Sequence, residues 1–428
     1  MGTAAEETTQ TCPQCGAEVR ADSRFAAWCA GCDWNVDPAR PEEKLGRLAR
    51  ARRALARRHG EKLLAEVTAG GTLRARRDAA SLLAYAVALA VHGLTVALVA
   101  GGIWFVVWGW GGAGMVPGLF LLALGWSLRP RLPRLPEDVP VLHRTDAPEL
   151  FALVDDVAHV VGTRGVDAIA VNARINASVT SYGVRGRRLL TLGLPFWEML
   201  TPQQRIALLG HELGHYSNGD TRHKLVVANA DRSLTTWHYY FSPIPDPKPL
   251  EVFVNLLYIA PRWLVLGVLM LLDRLTLRAT QRAEYLADRM AARAGSTEAA
   301  LELMDRLLVA DSAVITLQRE VSGAALTGPR GSRRAEDRAD GLWECLAADM
   351  ASIPEHERER QRRAGALRGH SVDATHPPTH LRHECLLAGA AVPAAVPVDD
   401  DRERRIAAEL TAARTKVARQ ILRDGFGG

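Results

Sequence analysis

Residues 211–215 read His-Glu-Leu-Gly-His, and this stretch decides how the rest of the 428-residue chain is interpreted. On a helix, positions i and i+4 share one face, so both imidazoles can bind a single metal ion. Glu212, one position along, can then reach a water on that metal. Thr201-Pro202 predicts where the helix starts, because Thr is a good N-cap and Pro fits the first turn. The alternative interpretation is a pair of core histidines bridged by a carboxylate.

A catalytic zinc site needs three protein ligands and one open position, so His211 and His215 need a partner. Glu284 and Asp288 lie four residues apart in a helical pattern downstream. Glu284 is predicted to be the third ligand, and Asp288 to accept the free ring N–H of a ligating histidine. By itself such a carboxylate pair is an ordinary solvated helix face. Together with residues 211–215 it predicts a zinc centre.

The N-terminus carries a second cysteine-based pattern. Its four cysteines form two Cys-x-x-Cys pairs, namely Cys12, Cys15, Cys29 and Cys32. This spacing is typical of a four-thiolate structural zinc site, and it predicts a zinc ribbon over residues 1–38. Thiolate sites need reduced thiols, so the N-terminus is expected in the cytoplasm. Redox dithiols or disulfides are the alternative.

Residues 79–128 contain no Asp, Glu, Lys or Arg, whereas one membrane crossing needs about twenty apolar residues. We therefore predict a two-span transmembrane hairpin over 79–130, with spans near Leu82–Val107 and Trp108–Leu128. A basic helical stalk over 39–78 precedes it. Basic clusters flank the hairpin on both sides, so the positive-inside rule predicts a multi-pass inner-membrane protein whose termini and catalytic domain are cytoplasmic.

The remaining residues predict a mainly α domain with a small β-sheet over 131–398, followed by a charged helix over 399–428. An apolar insert at 250–277 contains Pro261. Because His215 and Glu284 must meet on one metal, the chain between them crosses the bilayer an even number of times. We predict a re-entrant or interfacial helical hairpin divided at Pro261, with two true crossings as the alternative.

Four motifs occur in the order of a known family: Asn176-Ala177, the run 211–220, the segment 284–288 and the run 373–382. Over roughly Val139–Ala388 the chain resembles the integral-membrane gluzincins, typified by the CAAX prenyl endoprotease and the bacterial heat-shock membrane proteases. The resemblance implies a zincin-like fold. It also implies that His376 stabilises the oxyanion and that Arg382 and Asp220 support the metal site from behind the ligands.

The same resemblance implies an edge strand at Asn176, Ala177 and Ser178 that binds extended substrate, although Ser178 stands where the family usually has an aromatic residue. The expected activity is zinc-dependent endoproteolysis of protein or peptide substrates at the membrane, with Glu212 as general base. A non-catalytic zinc-ribbon scaffold or sensor is the main alternative. The net charge of +5 also allows nucleic-acid recognition by the ribbon and stalk, which we do not expect to be the main role. The oligomeric state is not predictable from these residues.

Overall fold

The computed structural model describes residues 7–38, 47–69, 78–217, 221–326, 339–368 and 377–427. The N-terminal unit is an antiparallel hairpin of β1 (Glu7–Thr11) and β2 (Glu18–Asp22). Two of its cysteines lie in the turn between the strands and two follow β2, and all four are free thiols that cluster together. Helix α1 (Arg47–Thr68) lies within the segment 39–78 that was predicted as a stalk, but it packs through Leu63 against the helical domain that follows the apolar stretch.

The apolar stretch that follows forms two helices, α2 (Ala79–Trp108) and α3 (Met115–Ser127). They pack closely, since a Cβ atom at Gly118 would lie 2.8 Å from the Val106 nitrogen. The first predicted span agrees with α2. The second is shorter than predicted, because the 13 residues of α3 rise only about 20 Å.

The next segment builds a four-stranded sheet in the order β3-β4-β6-β5. Its strands are β3 (Val141–Leu142), β4 (Ala168–Asn172), β5 (Ala177–Tyr182) and β6 (Arg187–Gly193). Strands β4 and β6 are parallel, whereas β5 pairs antiparallel with β6 and forms an edge. Helices α4 (Pro148–Val161) and α5 (Leu194–Glu198) accompany the sheet, and the main core lies between it and the helices.

Three helices carry the chain through the candidate site and back: α6 (Pro202–Ser217), α7 (Thr221–Tyr240) and α8 (Pro249–Gly295). Helix α8 runs through Pro261 without interruption, so the predicted division of the insert at that residue is wrong. Proline removes one backbone hydrogen bond, and in this helix the neighbouring turns continue past it. Helices α2, α7 and α8 share an apolar cluster that includes Ala88, Leu234 and Leu272.

The domain is completed by α9 (Thr297–Leu308), α10 (Ala310–Leu326), α11 (Leu342–Ala351), α12 (Glu355–Arg368) and α13 (Thr379–Leu387). The C-terminal helix α14 (Asp400–Asp424) buries an apolar face in the main core. Its Glu409 accepts hydrogen bonds from the backbone N–H groups of Glu149 and Leu150, at 2.8 and 2.9 Å. The predicted charged helix is therefore a packing element that also caps α4.

Candidate metal centre

Helix α6 begins at Pro202, as the sequence predicted. Thr201 and Gln204 cap it reciprocally, because the Gln204 side chain accepts from the Thr201 N–H and the Thr201 hydroxyl accepts from the Gln204 N–H. Ile206 and Leu213 are fully buried on its inner face. These features fix the axial position and the rotation of the helix that carries both histidines.

Glycines bring α6 and α8 unusually close together. A Cβ atom at Gly210 would lie 2.9 Å from the Met290 carbonyl oxygen, and one at Gly214 would lie 3.1 Å from Ala287 Cα. Small residues on facing helices let the backbones approach in this way. The second half of α6 therefore faces the part of α8 that carries Glu284.

The three predicted ligands converge at this contact. Glu284 Oε2 lies 3.5 Å from His211 Nε2, and Glu284 Oε1 lies 3.7 Å from His215 Nε2. All three residues offer ligand atoms within 4.8 Å of one another. A metal bound at about 2.0–2.1 Å in tetrahedral directions keeps its ligand atoms about 3.3–3.4 Å apart. The donor set and its spacing therefore fit one zinc ion.

Asp288 and Arg382 lie directly behind the three candidate ligands. Asp288 Oδ1 lies 3.0 Å from His211 Nδ1, which leaves Nε2 of that ring directed toward Glu284. Arg382 donates to both carboxylate oxygens of Asp288, from Nε at 2.9 Å and from its terminal nitrogen at 2.6 Å. A carboxylate on the second ring nitrogen fixes the tautomer and the orientation of a metal-binding histidine.

The electrostatics of this buried group favour a cation at the centre. Burial alone would raise the pKa of Asp288, but the Arg382 guanidinium and His211 outweigh it and hold that pKa well below its usual range. Burial opposes charge on His211, yet hydrogen bonds to Asp288 and Glu284 raise its pKa to about 10. The groups around the His211 ring thus stabilise positive charge at this position. A metal ion bound to the ring can supply that charge in place of a proton.

The four N-terminal cysteines form a second candidate metal site. The Sγ atoms of Cys12 and Cys32 are 3.7 Å apart, and those of Cys15 and Cys29 are 3.5 Å apart. Four thiolates around zinc at about 2.3 Å would be separated by about 3.8 Å, whereas a disulfide bond is about 2.05 Å long. The arrangement fits a structural zinc and argues against the disulfide alternative.

Comparison with protein families places these observations in context. The model of peptidase family M48 matches residues 146–389, more than half of the chain and the whole region around the metal centre. The chain belongs to this family. Members of M48 are zinc-dependent metallopeptidases, in agreement with the donor set found here. No curated protein and no solved structure matches the chain.

Two predicted site residues of this M48 chain, Asp220 and His376, lie outside the described residues. Of the predicted substrate segment, Asn176 precedes β5, and Ala177 and Ser178 open that edge strand. The family resemblance implied an edge strand at this place, and β5 lies at the edge of the sheet, while its use in binding substrate stays a prediction.

Two residues beside the site were not foreseen. Tyr216 follows His215 on α6, and its side chain is partly buried. The Arg188 guanidinium stacks over the Tyr216 ring at 4.2 Å. Tyr216 lies four residues after Glu212, so the i, i+4 rule applied to the motif could have drawn attention to it.

Proposed function

We propose that this chain is a membrane-anchored zinc endopeptidase in which His211, His215 and Glu284 hold the catalytic metal. The observation that carries the proposal is the convergence of three donor side chains from α6 and α8 at the spacing one zinc ion needs. Asp288 completes the arrangement by orienting His211. Family membership supports the reaction class, hydrolysis of peptide bonds by a metallopeptidase.

In such a site zinc supplies a Lewis acid that polarises the scissile carbonyl and makes water acidic enough to lose a proton near neutral pH. Glu212 is the residue of this chain that takes that proton, because it adjoins His211 on α6 and its side chain is buried at the site. As general base it accepts the proton of the attacking water and passes it to the leaving nitrogen. From the family resemblance, His376 stabilises the negative charge that develops on the carbonyl oxygen.

The proposed substrate is an extended segment of a protein or peptide that lies along β5. This strand is the edge of the sheet, so one side of its backbone is not paired within the sheet. Extended peptides bind to such edges by adding a strand, with backbone hydrogen bonds providing affinity. Ala177 and Ser178 are the first residues of that edge, and the strand packs against α6, the helix that carries His211 and His215.

Anchoring in the membrane is supported by two long apolar helices that face outward. In the most apolar 18-residue window of each, only 22% of residues are buried in α2 and 6% in α8. A core helix of a water-soluble protein would be mostly buried instead. Trp104, Trp108 and Trp110 are among the exposed side chains, which suits the interface between bilayer and water. We propose that the exposed apolar faces of α2, α3 and the first half of α8 contact lipid, with the catalytic domain in the cytoplasm.

Glu212→Gln tests the assignment in the detergent-solubilised full-length chain. Hydrolysis of an unfolded protein substrate is expected to disappear, while the zinc content stays at two per chain because Glu212 does not bind the metal. Glu284→Ala should lower zinc to one per chain as well as abolish activity. Glu298→Gln, an exposed carboxylate on α9, is the matched control and should behave like wild type. Two bound zinc ions with no hydrolysis in the wild type would favour the scaffold or sensor alternative.

A further inference from the structure

The N-terminal ribbon docks on helix α12, although the ribbon lies outside the matched family region. Arg363 donates to the carbonyl oxygen of Ala30 at 2.7 Å and to the Asp33 carboxylate at 2.8 Å. Arg368 binds the Asp37 carboxylate, with one contact at 2.9 Å. Arg360 belongs to the same set of contacts. Three arginines of one helix are thus directed at one small zinc-binding unit.

The contacts made by Arg360 are buried rather than superficial. Its guanidinium donates to the Val36 carbonyl oxygen at 2.8 Å and twice to Glu357, both at 2.7 Å. Arg360 is 8% exposed and Glu357 is 2% exposed. Arginine can satisfy a carboxylate and a backbone carbonyl together because its donors form a fixed fork. This interface is therefore specific in its geometry.

Asp33, the ribbon residue whose carboxylate binds Arg363, has a left-handed backbone conformation. In the first Cys-x-x-Cys turn, Gly16 follows Cys15 and adopts φ 75°. In the second Cys-x-x-Cys turn, the equivalent residue after Cys32 is Asp33, which adopts φ 56°. Glycine is the residue that accepts this left-handed conformation without steric cost. The aspartate at this position supplies the carboxylate that Arg363 binds.

A second contact joins the N-terminal region to the helix that follows α12. A Cβ atom at Gly60 of α1 would lie 2.9 Å from Leu381 Cδ1, and Leu63 packs with Tyr285, Leu381 and Cys385. Leu381 and Cys385 belong to α13, which packs against α12. The ribbon and α1 thus hold two consecutive helices of the peptidase domain.

Helix α13 carries Arg382, the buried partner of Asp288, and Asp288 orients His211. We propose that the ribbon and α1 form a clamp that positions Arg382, so that release of the ribbon from α12 loosens the metal centre. Asp33 and Asp37 are the positioning residues of the clamp. The inference rests on the proposed zinc centre, since it concerns how firmly that centre holds its metal. The zinc of the ribbon is needed because so small a hairpin folds only around its metal.

The double variant Asp33→Gly/Asp37→Asn tests the clamp in the full-length protein without changing any residue of the peptidase domain. Glycine relieves the strain at position 33, so the ribbon should keep its zinc. A chelator should remove the other zinc about tenfold faster than from wild type, the lower end of the effect of losing an outer-shell partner. His215→Ala identifies that kinetic phase by removing it. Glu18→Gln, an exposed ribbon carboxylate, is the control.

Amide hydrogen exchange provides a second measurement that does not depend on activity. The clamp predicts faster exchange confined to α12 and α13 in the double variant, with α4 and α14 unchanged. Exchange that rises equally in all four helices would indicate general destabilisation and would overturn the proposal, as would zinc release at the wild-type rate. A wild type with no release phase sensitive to His215→Ala would instead refute the proposed zinc centre, while the exchange experiment would still decide the clamp.

Discussion

Replacing Asp288 by Asn separates two roles that one buried carboxylate combines. Its oxygens accept two hydrogen bonds from Arg382 and one from His211. The amide of Asn offers one acceptor oxygen, so its NH₂ group must face either the guanidinium or the ring N–H. Arg382, 4% exposed, also loses the counter-charge that it contacts directly. Breaking a buried ion pair on one side costs about 3–5 kcal/mol of stability.

The expected loss at the metal is separate. Outer-shell partners of ligating histidines contribute about 10- to 100-fold in metal affinity, or about 1.4–2.8 kcal/mol. Competition with a chelator measures that loss. Urea unfolding in detergent measures the stability, at one fixed concentration of free zinc, because bound metal itself stabilises the folded state.

The double variant Asp288→Leu/Arg382→Leu distinguishes the two losses. It removes both charges, so stability should return to within about 1 kcal/mol of wild type or exceed it. Zinc affinity should remain low, because leucine at position 288 leaves the His211 ring N–H without an acceptor. Recovery of zinc affinity in the double variant, or unchanged zinc affinity in Asp288→Asn, would contradict the role assigned to Asp288.

Three further expectations concern packing and topology. Gly210→Ala should weaken both stability and zinc binding, because the new Cβ atom meets the Met290 carbonyl oxygen at 2.9 Å. Gly267→Ala is the control: a Cβ atom at Gly267 meets open space, so this variant should be neutral or slightly stabilising in thermal unfolding. Glu409→Ala should lower the free energy of unfolding by about 1 kcal/mol through loss of the α4 cap, measured by denaturant titration. Cysteines introduced at Gly112 and Ser296 should react with impermeant reagents from opposite sides of the membrane; labelling from one side alone would contradict the proposed topology.

The metal centre was largely predictable because its signals are local. Two histidines four apart need only the period of a helix, and Thr201-Pro202 marks where that helix begins. Glu284 needed the company of the 211–215 motif, since nothing local distinguishes it from a solvated carboxylate. The close approach of α6 and α8 was not foreseen, although Gly210 and Gly214 recur at the spacing of one helix face. The sequence marked the ligands more clearly than it marked the packing that brings them together.

The errors arose where tertiary contacts override local preference. Pro261 was interpreted as a division of the insert, yet α8 continues past it with one backbone donor fewer. The charged segment before the hairpin was expected to be a stalk, but Gly60 and Leu63 place it against α13 and α8. Nothing local in the sequence marks the arginines at 360, 363 and 368 as contacts of the N-terminal ribbon. Their partners lie more than three hundred residues away in sequence, beyond the reach of any periodicity.

Because α8 is one unbroken helix, it fixes the distance between its apolar first half and the candidate metal centre. Leu271 is its last strongly exposed large apolar side chain, and Glu284 follows thirteen residues later, a rise of about 20 Å. With the apolar half in lipid as proposed, the metal stands at a set height above the membrane surface. An extended polypeptide advances about 3.3 Å per residue, so roughly six residues are needed to bridge that height. Peptide bonds closer than this to the embedded part of a substrate would lie below the reach of the centre.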